Sequence, residues 1–239
     1  MCYNEIDRIG RKGRAHGKEG CLITEAFNLL PQEKQKTILE AAAAEFAEHG
    51  YEKASTNRMV QRAGIGKGML FYYFGSKLEL YHYLMDRIGQ LMEGYGKQLL
   101  CHPEKLGIIE TLQHATKVKM EAYGENPALL DFIGRLYLHP EEAAVSEEAK
   151  ERFFSQMAAR ERVMQQLFAK ADMESLRRDI PRERLVKYLH WAMEGYTQHI
   201  VNQIRSAAVK RTSDLELAPF LAELDVYMED LKRIYYKKT

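Results

Sequence analysis

Acidic side chains are missing from one stretch of a chain that elsewhere has many. Between Lys53 and Lys77 there is no aspartate or glutamate, against five basic residues (Lys53, Arg58, Arg62, Lys67 and Lys77), although the 239 residues as a whole balance 35 Lys and Arg with 34 Asp and Glu. Cysteine is also scarce. Cys2, Cys21 and Cys101 are odd in number, widely spaced and without metal-ligand spacing, which argues against a disulfide framework and a zinc site and for a reducing compartment. No run of eighteen apolar residues occurs, and the N-terminus is polar and charged where a signal peptide needs an apolar stretch. A cytoplasmic protein is expected. Runs of β-branched residues and sustained period-2 alternation are missing too, so strands are not expected.

What remains is helix-forming material, with an apolar share of 46% that is ample for packed cores. Residues 1–30 differ from the rest: Gly10, Gly13, Gly17 and Gly20 alternate with Arg8, Arg11, Lys12, Arg14 and Lys18. That composition predicts a disordered basic leader, with a minor-groove arm as the alternative. From Pro31 the spacing of Ile38, Leu39, Ala42, Ala43 and Phe46 predicts a helix over about 32 to 49, stopped by Gly50. Two short helices follow, about 56 to 63 and 67 to 73. Ser55 is the expected N-cap of the first, Gly64 its left-handed stop, and Ile65 the apolar plug of the turn. Ser76-Lys77-Leu78-Glu79 reads as a capping box opening a long helix through Leu80, Leu84, Ile88, Leu91 and Tyr95. Breaks at His102-Pro103, Asn126-Pro127, His139-Pro140, Ile180-Pro181 and Ala218-Pro219 then delimit helices near 104–123, 127–137, 141–172, 182–207 and 215–237. In the last of these, Leu217, Leu221, Leu224, Met228, Leu231 and Tyr235 form a stripe suited to helix packing, and Leu224 and Leu231 are expected in a dimer seam.

Two short helices around a glycine turn, set in a basic window, suggest a helix-turn-helix lying on DNA phosphates. The residues Ile38-Leu39-Glu40-Ala41-Ala42 with Phe46 and Gly50-Tyr51, then Ala63-Gly64-Ile65-Gly66-Lys67-Gly68, Leu70-Phe71-Tyr72-Tyr73-Phe74 and Ser76-Lys77 resemble the TetR family of bacterial transcriptional regulators over about residues 32–84. The resemblance implies an all-α protein: a three-helix DNA-binding domain at 31–76, joined by a long helix to a ligand-binding and dimerisation domain at 77–239. It further implies a homodimeric, ligand-responsive repressor that binds a palindromic operator in double-stranded DNA and is released by a small-molecule effector. Matched position by position, its DNA-facing residues are Thr56, Asn57, Lys67, Gly68, Met69, Phe71, Tyr72, Tyr73 and Lys77. The chemistry is compatible, since hydroxyls, a helix N-terminus and lysine serve phosphate, while Lys67 and Met69 suit base edges. Phe71 and Gly66 depart from the family's usual tyrosine and serine, which weakens phosphate anchoring there.

Other readings have less support. For Arg58 and Arg62 a solvated face competes with phosphate contact, and for the aromatic run 71–74 core packing competes with an interface, although helical geometry cannot bury all four rings. His49, His82, His102, His114, His139, His190 and His199 form no HExxH or HxH pattern, and no phosphate-cradling GxxxxGKS or GxGxxG occurs. No cofactor, metal or enzymatic activity is expected. A helical small-molecule- or metal-binding enzyme, and a TetR-like activator or nucleoid factor, remain as alternatives. The pocket residues, effector and operator have no motif.

Overall fold

The structure is a computed structural model that describes residues 25–101, 106–206 and 216–237. The described residues form helices α1 (Gln32–Lys53), α2 (Thr56–Ala63), α3 (Lys67–Phe74), α4 (Lys77–Leu100), α5 (Ile108–Glu125), α6 (Pro127–Leu138), α7 (Glu147–Lys170), α8 (Arg182–Ser206) and α9 (Leu217–Tyr235). No strand occurs among them, only isolated bridges pairing Gly107 with Asp172 and Leu176 with Tyr236.

Glycine sets the first boundaries. Gly50 (φ 68°), Gly64 (φ 62°) and Gly75 (φ 69°) take the left-handed backbone that side chains with a Cβ resist. Gly50 breaks α1 as its position predicts, but the chain resumes for one more turn to Lys53. Ser76 caps α4 by accepting the Glu79 amide at 3.0 Å. The helix expected over 141–172 is split: a 3-10 turn (Pro140–Ala144) precedes Ser146, whose hydroxyl accepts the Ala149 amide and starts α7.

Two cores hold these helices together. The first combines Ile38, Ala42 and Phe46 of α1, Met59 of α2, Leu70 and Phe74 of α3, and Leu80, Leu84 and Met85 of α4 with Phe132 and Leu136 of α6 and Phe153 of α7. The second joins Ile108, Ile109 and Leu112 of α5 to Leu185 and Leu189 of α8 and Met228, Leu231 and Tyr235 of α9. Each large side chain buried this fully contributes about 1.5–3 kcal/mol before entropy is subtracted. Between α4 and α7 the backbones approach closely, because a Cβ at Gly96 would lie 3.0 Å from Val163. Arg152 to Asp86 (3.0 Å) and Gln156 to the Met85 carbonyl (2.7 Å) add polar ties across the same contact.

Three expectations change. The leader cannot extend to residue 30: residues 25–28 make a helical turn, and Phe27 is fully buried against the rings of Tyr73, Phe74 and Tyr83. The rest of the predicted leader, 1–24, lies outside the described residues. The boundary at 76/77 does not separate two cores either, since α6 packs along α1 and contributes to the first core. Last, Leu231 is buried and Leu224 half-buried within the chain's own second core, while Val226 and Ile234 are large apolar residues of α9 left exposed. A single stripe was enough to pack α9 internally.

Candidate nucleic-acid interface

The site is built from α1 outwards. Leu70, Tyr73 and Phe74 bury one face of α3 against the first core, and the other face is left to solvent. Along that outer face lie Lys67, Gly68, Met69 (42% exposed), Phe71 (37%) and Tyr72 (62%). A methyl group at Gly68 would meet nothing within 4 Å, so the space beside this glycine is outside the protein. Met69 donates its amide to the Gly66 carbonyl (3.0 Å), and the amides before it belong to the open first turn of α3, where the positive end of the helix dipole adds to the charge of Lys67. At the start of α2, Asn57 is exposed and Thr56 half-buried.

Tyr73 does not join this face. It is 3% exposed, with its ring against those of Phe27 and Tyr72, so the phosphate contact expected of it is corrected to core packing. Lys77 is corrected as well. Its ammonium donates to the carbonyls of Tyr51 (2.8 Å), Ala54 (3.3 Å) and Glu52 (3.4 Å) and sits 4.5 Å from the centroid of the Tyr51 ring. Three donors are taken up at the C-terminal end of α1, where a cation meets the negative end of the helix dipole. Lys77 thus ties α4 to α1.

The basic window is also less positive than its sequence. Glu45, on α1, is fully buried and accepts from Arg58 Nη2 (2.5 Å), Arg58 Nε (2.8 Å) and the Ser55 amide (2.9 Å). Burial alone would raise the Glu45 pKa, but Arg58, the Ser55 amide and nearby His49 outweigh it and hold the carboxyl below the usual glutamate range. Arg62 pairs with Glu48 at 2.8 Å. Both arginines therefore fasten α2 to α1, and Ser55 caps α2 without a side-chain hydrogen bond. Sequence reasoning missed Glu45 because its partner lies across a turn. The available signal was a single carboxylate on the apolar stripe between Ala42 and Phe46.

The described geometry is a three-helix unit presenting one short helix outwards, and residues 38–84 match the model of the bacterial regulatory proteins, tetR family. The chain belongs to the TetR family. It is similar to the HTH-type transcriptional repressor AcnR of Corynebacterium efficiens, 26% identical over 187 residues that span 77% of this chain and 91% of that protein. The HTH-type transcriptional activator FasR of Mycolicibacterium smegmatis is 34% identical over 98 residues, 40% of this chain and 42% of FasR. Among solved structures, the TetR-family regulator PfmR of Thermus thermophilus superposes with a TM-score of 0.56 at 19% identity, covering 82% of this chain and 97% of that one, which supports the fold. As a TetR-family protein the chain is a DNA-binding transcriptional regulator, and the family's members are regulators, not enzymes. Among the described residues, no helix is long and apolar enough to cross a membrane and no group of three His, Cys, Asp or Glu side chains is placed to hold a metal.

Proposed function

We propose that this regulator is a repressor that binds a palindromic operator as a homodimer, with α3 in the major groove, and that a small-molecule effector held by the C-terminal helices releases it. The observation that carries the reading is the outer face of α3: Met69, Phe71 and Tyr72 are large apolar or aromatic side chains left in solvent beside Lys67 and the open Gly68. Such a face suits a groove, where methionine can meet a thymine methyl, lysine a guanine edge and the Tyr72 hydroxyl a phosphate. Thr56 and Asn57 at the N-terminus of α2 suit the backbone of the neighbouring strand. The repressor name carried by the AcnR relatives supports repression over activation.

The dimer reading has its own support: Trp191 on α8 and Val226 and Ile234 on α9 stay exposed in the single chain. Two-fold pairing of these helices would set the two α3 helices for successive major grooves, about 34–36 Å apart. An effector acts by favouring a conformation in which that spacing is lost. Nuclease protection of the promoter regions flanking the gene tests the proposal. A symmetric footprint that blocks transcription in vitro is expected, whereas binding that is independent of sequence, or that stimulates transcription, would refute repression.

A further inference from the structure

The outward helix α3 is poor in groups that read bases by hydrogen bonds. Such reading uses arginine or lysine on guanine, asparagine or glutamine on adenine, and a carboxylate on cytosine. Among the residues of α3, Lys67 to Phe74, there is no Arg, Asn, Gln, Asp or Glu. Tyr73 lies in the core and the Tyr72 hydroxyl is given to phosphate in the reading above, so Lys67 alone among the side chains of α3 is left to pair with a base. Apolar surface takes the place of the missing groups. Leu70, Tyr73 and Phe74 fill the core, yet Met69 and Phe71 remain 42% and 37% exposed. About 100° separates successive residues of a helix, so Gly68 and Tyr72 lie opposite the buried line of Leu70 and Phe74, and Met69 and Phe71 stand on its two flanks. A methyl group at Gly68 would meet nothing within 4 Å, so no protein atom there keeps this line from the floor of a groove.

We infer that α3 reads its operator through the C5-methyl groups of pyrimidines, one facing Met69 and one facing Phe71 in each half-site. The inference rests on the operator reading above and adds the class of sequence: thymines at those two positions, with 5-methylcytosine read in the same way. The C5 methyl is the apolar group that base edges offer in the major groove, where the other groups are hydrogen-bond donors and acceptors. An apolar side chain gains by leaving water only against another apolar group. Set against unmethylated cytosine, it would strip the amino group of water without pairing it, at a cost. The selectivity is therefore two-sided: a methyl is favoured, and a bare polar edge is rejected. Because Met69 and Phe71 point to opposite flanks of the helix, the two methyls belong to different base pairs.

The test begins with duplexes that the full chain selects from a random library. Each thymine of the selected half-site is then replaced in turn by deoxyuridine, which removes the methyl and leaves the hydrogen-bonding edge unchanged. Fluorescence anisotropy should show affinity falling at two positions per half-site, by about fourfold for each methyl and about fifteenfold for a symmetric pair. At those positions 5-methylcytosine paired with guanine should bind about fourfold more tightly than cytosine paired with guanine, since only the methyl is added. Met69→Ala should abolish the loss at one position and Phe71→Ala at the other, and Met69→Leu should restore it. Both side chains are exposed, so the variants are expected to fold, and the wild-type series stands without them. An operator indifferent to deoxyuridine, or methyl effects that persist unchanged in both alanine variants, would overturn the inference and leave sequence-specific binding intact. A library from which no sequence is enriched would refute the operator reading itself, and this inference with it.

Discussion

At Gly68 the absence of any protein atom within 4 Å of where a methyl group would stand separates two roles that glycine can have. Folding does not need this glycine, since helical alanine is more stable than glycine by about 0.5–1 kcal/mol. Gly68→Ala is expected to melt at or slightly above the wild-type temperature and to bind operator at least tenfold more weakly, as close approach of the helix backbone to DNA would be blocked; equal affinity, measured by fluorescence anisotropy, would remove α3 from the groove. Lys67 and Lys77 give a second contrast. Lys67→Ala should leave stability intact and reduce the salt dependence of binding if it neutralises phosphate, by about 0.9 per contact, or cost about 1–3 kcal/mol per half-site on operator alone if it reads a base. Lys77→Ala should lower the melting temperature, because three carbonyls of α1 lose their donor, and should weaken all DNA binding with little change in salt slope. A Lys77 variant of native stability with a reduced slope would restore the phosphate contact. Phe27→Ala should cost about 3–5 kcal/mol of unfolding free energy, read by denaturant titration, because a fully buried ring between Tyr73, Phe74 and Tyr83 is removed.

An eight-residue helix such as α3 is marginal in water by itself, so its orientation is set by what it packs on and by the ion pairs that lock α2 to α1. The junction of α4 with α7 depends on pH. His82 is buried with Nε2 2.9 Å from the Ser146 hydroxyl, whose oxygen already accepts the Ala149 amide and whose hydrogen suits a neutral imidazole. Burial, with Arg152 adding to it, lowers the His82 pKa from its usual 6.5. The unfolded chain then binds the proton more readily than the folded one, so this contribution is present above about pH 6.5 and is lost as pH falls through the folded-state pKa. Thermal melts between pH 7.5 and 5 should show a smaller loss of stability for His82→Gln than for wild type; identical slopes would mean that His82 does not titrate differently in the folded state.

Across the whole molecule, α6 is the element that ties the C-terminal helices to the DNA-binding unit. Arg135 grips Glu142 through Nε (2.6 Å) and Nη2 (2.7 Å) and reaches α1, while the Tyr81 hydroxyl of α4 donates to the Glu142 carbonyl at 3.1 Å. Arg135→Ala should lower the melting temperature, because the Glu142 carboxylate and the Ala47 carbonyl lose their donor; an unchanged melt would mean that these bonds add nothing to stability. Assembly is argued at this scale too. Replacing Val226 and Ile234 with Glu adds charge to the exposed side of α9 and should leave a folded monomer in sedimentation velocity at micromolar concentration; a persistent dimer would move the interface elsewhere. Leu231→Glu should instead unfold the second core, where that side chain is buried.

Local chemistry was enough to determine the helical class, the glycine stops at 50 and 64, the cap at Ser76, and the bounds of α2, each of which depends on residues within a turn of one another. The outward face of α3 was legible for the same reason, since Leu70 and Phe74 share a stripe and Met69, Phe71 and Tyr72 fall off it. Only the tertiary structure decided which charges are available. Glu45 meets Arg58, Glu48 meets Arg62 and Lys77 meets the end of α1 across separations that no spacing rule encodes, so the basic window held more apparent than usable charge. It also decided the cores, by packing α6 onto α1 and α9 onto α5. Periodicity says which face of a helix is buried; which helix that face meets depends on partners distant in the chain.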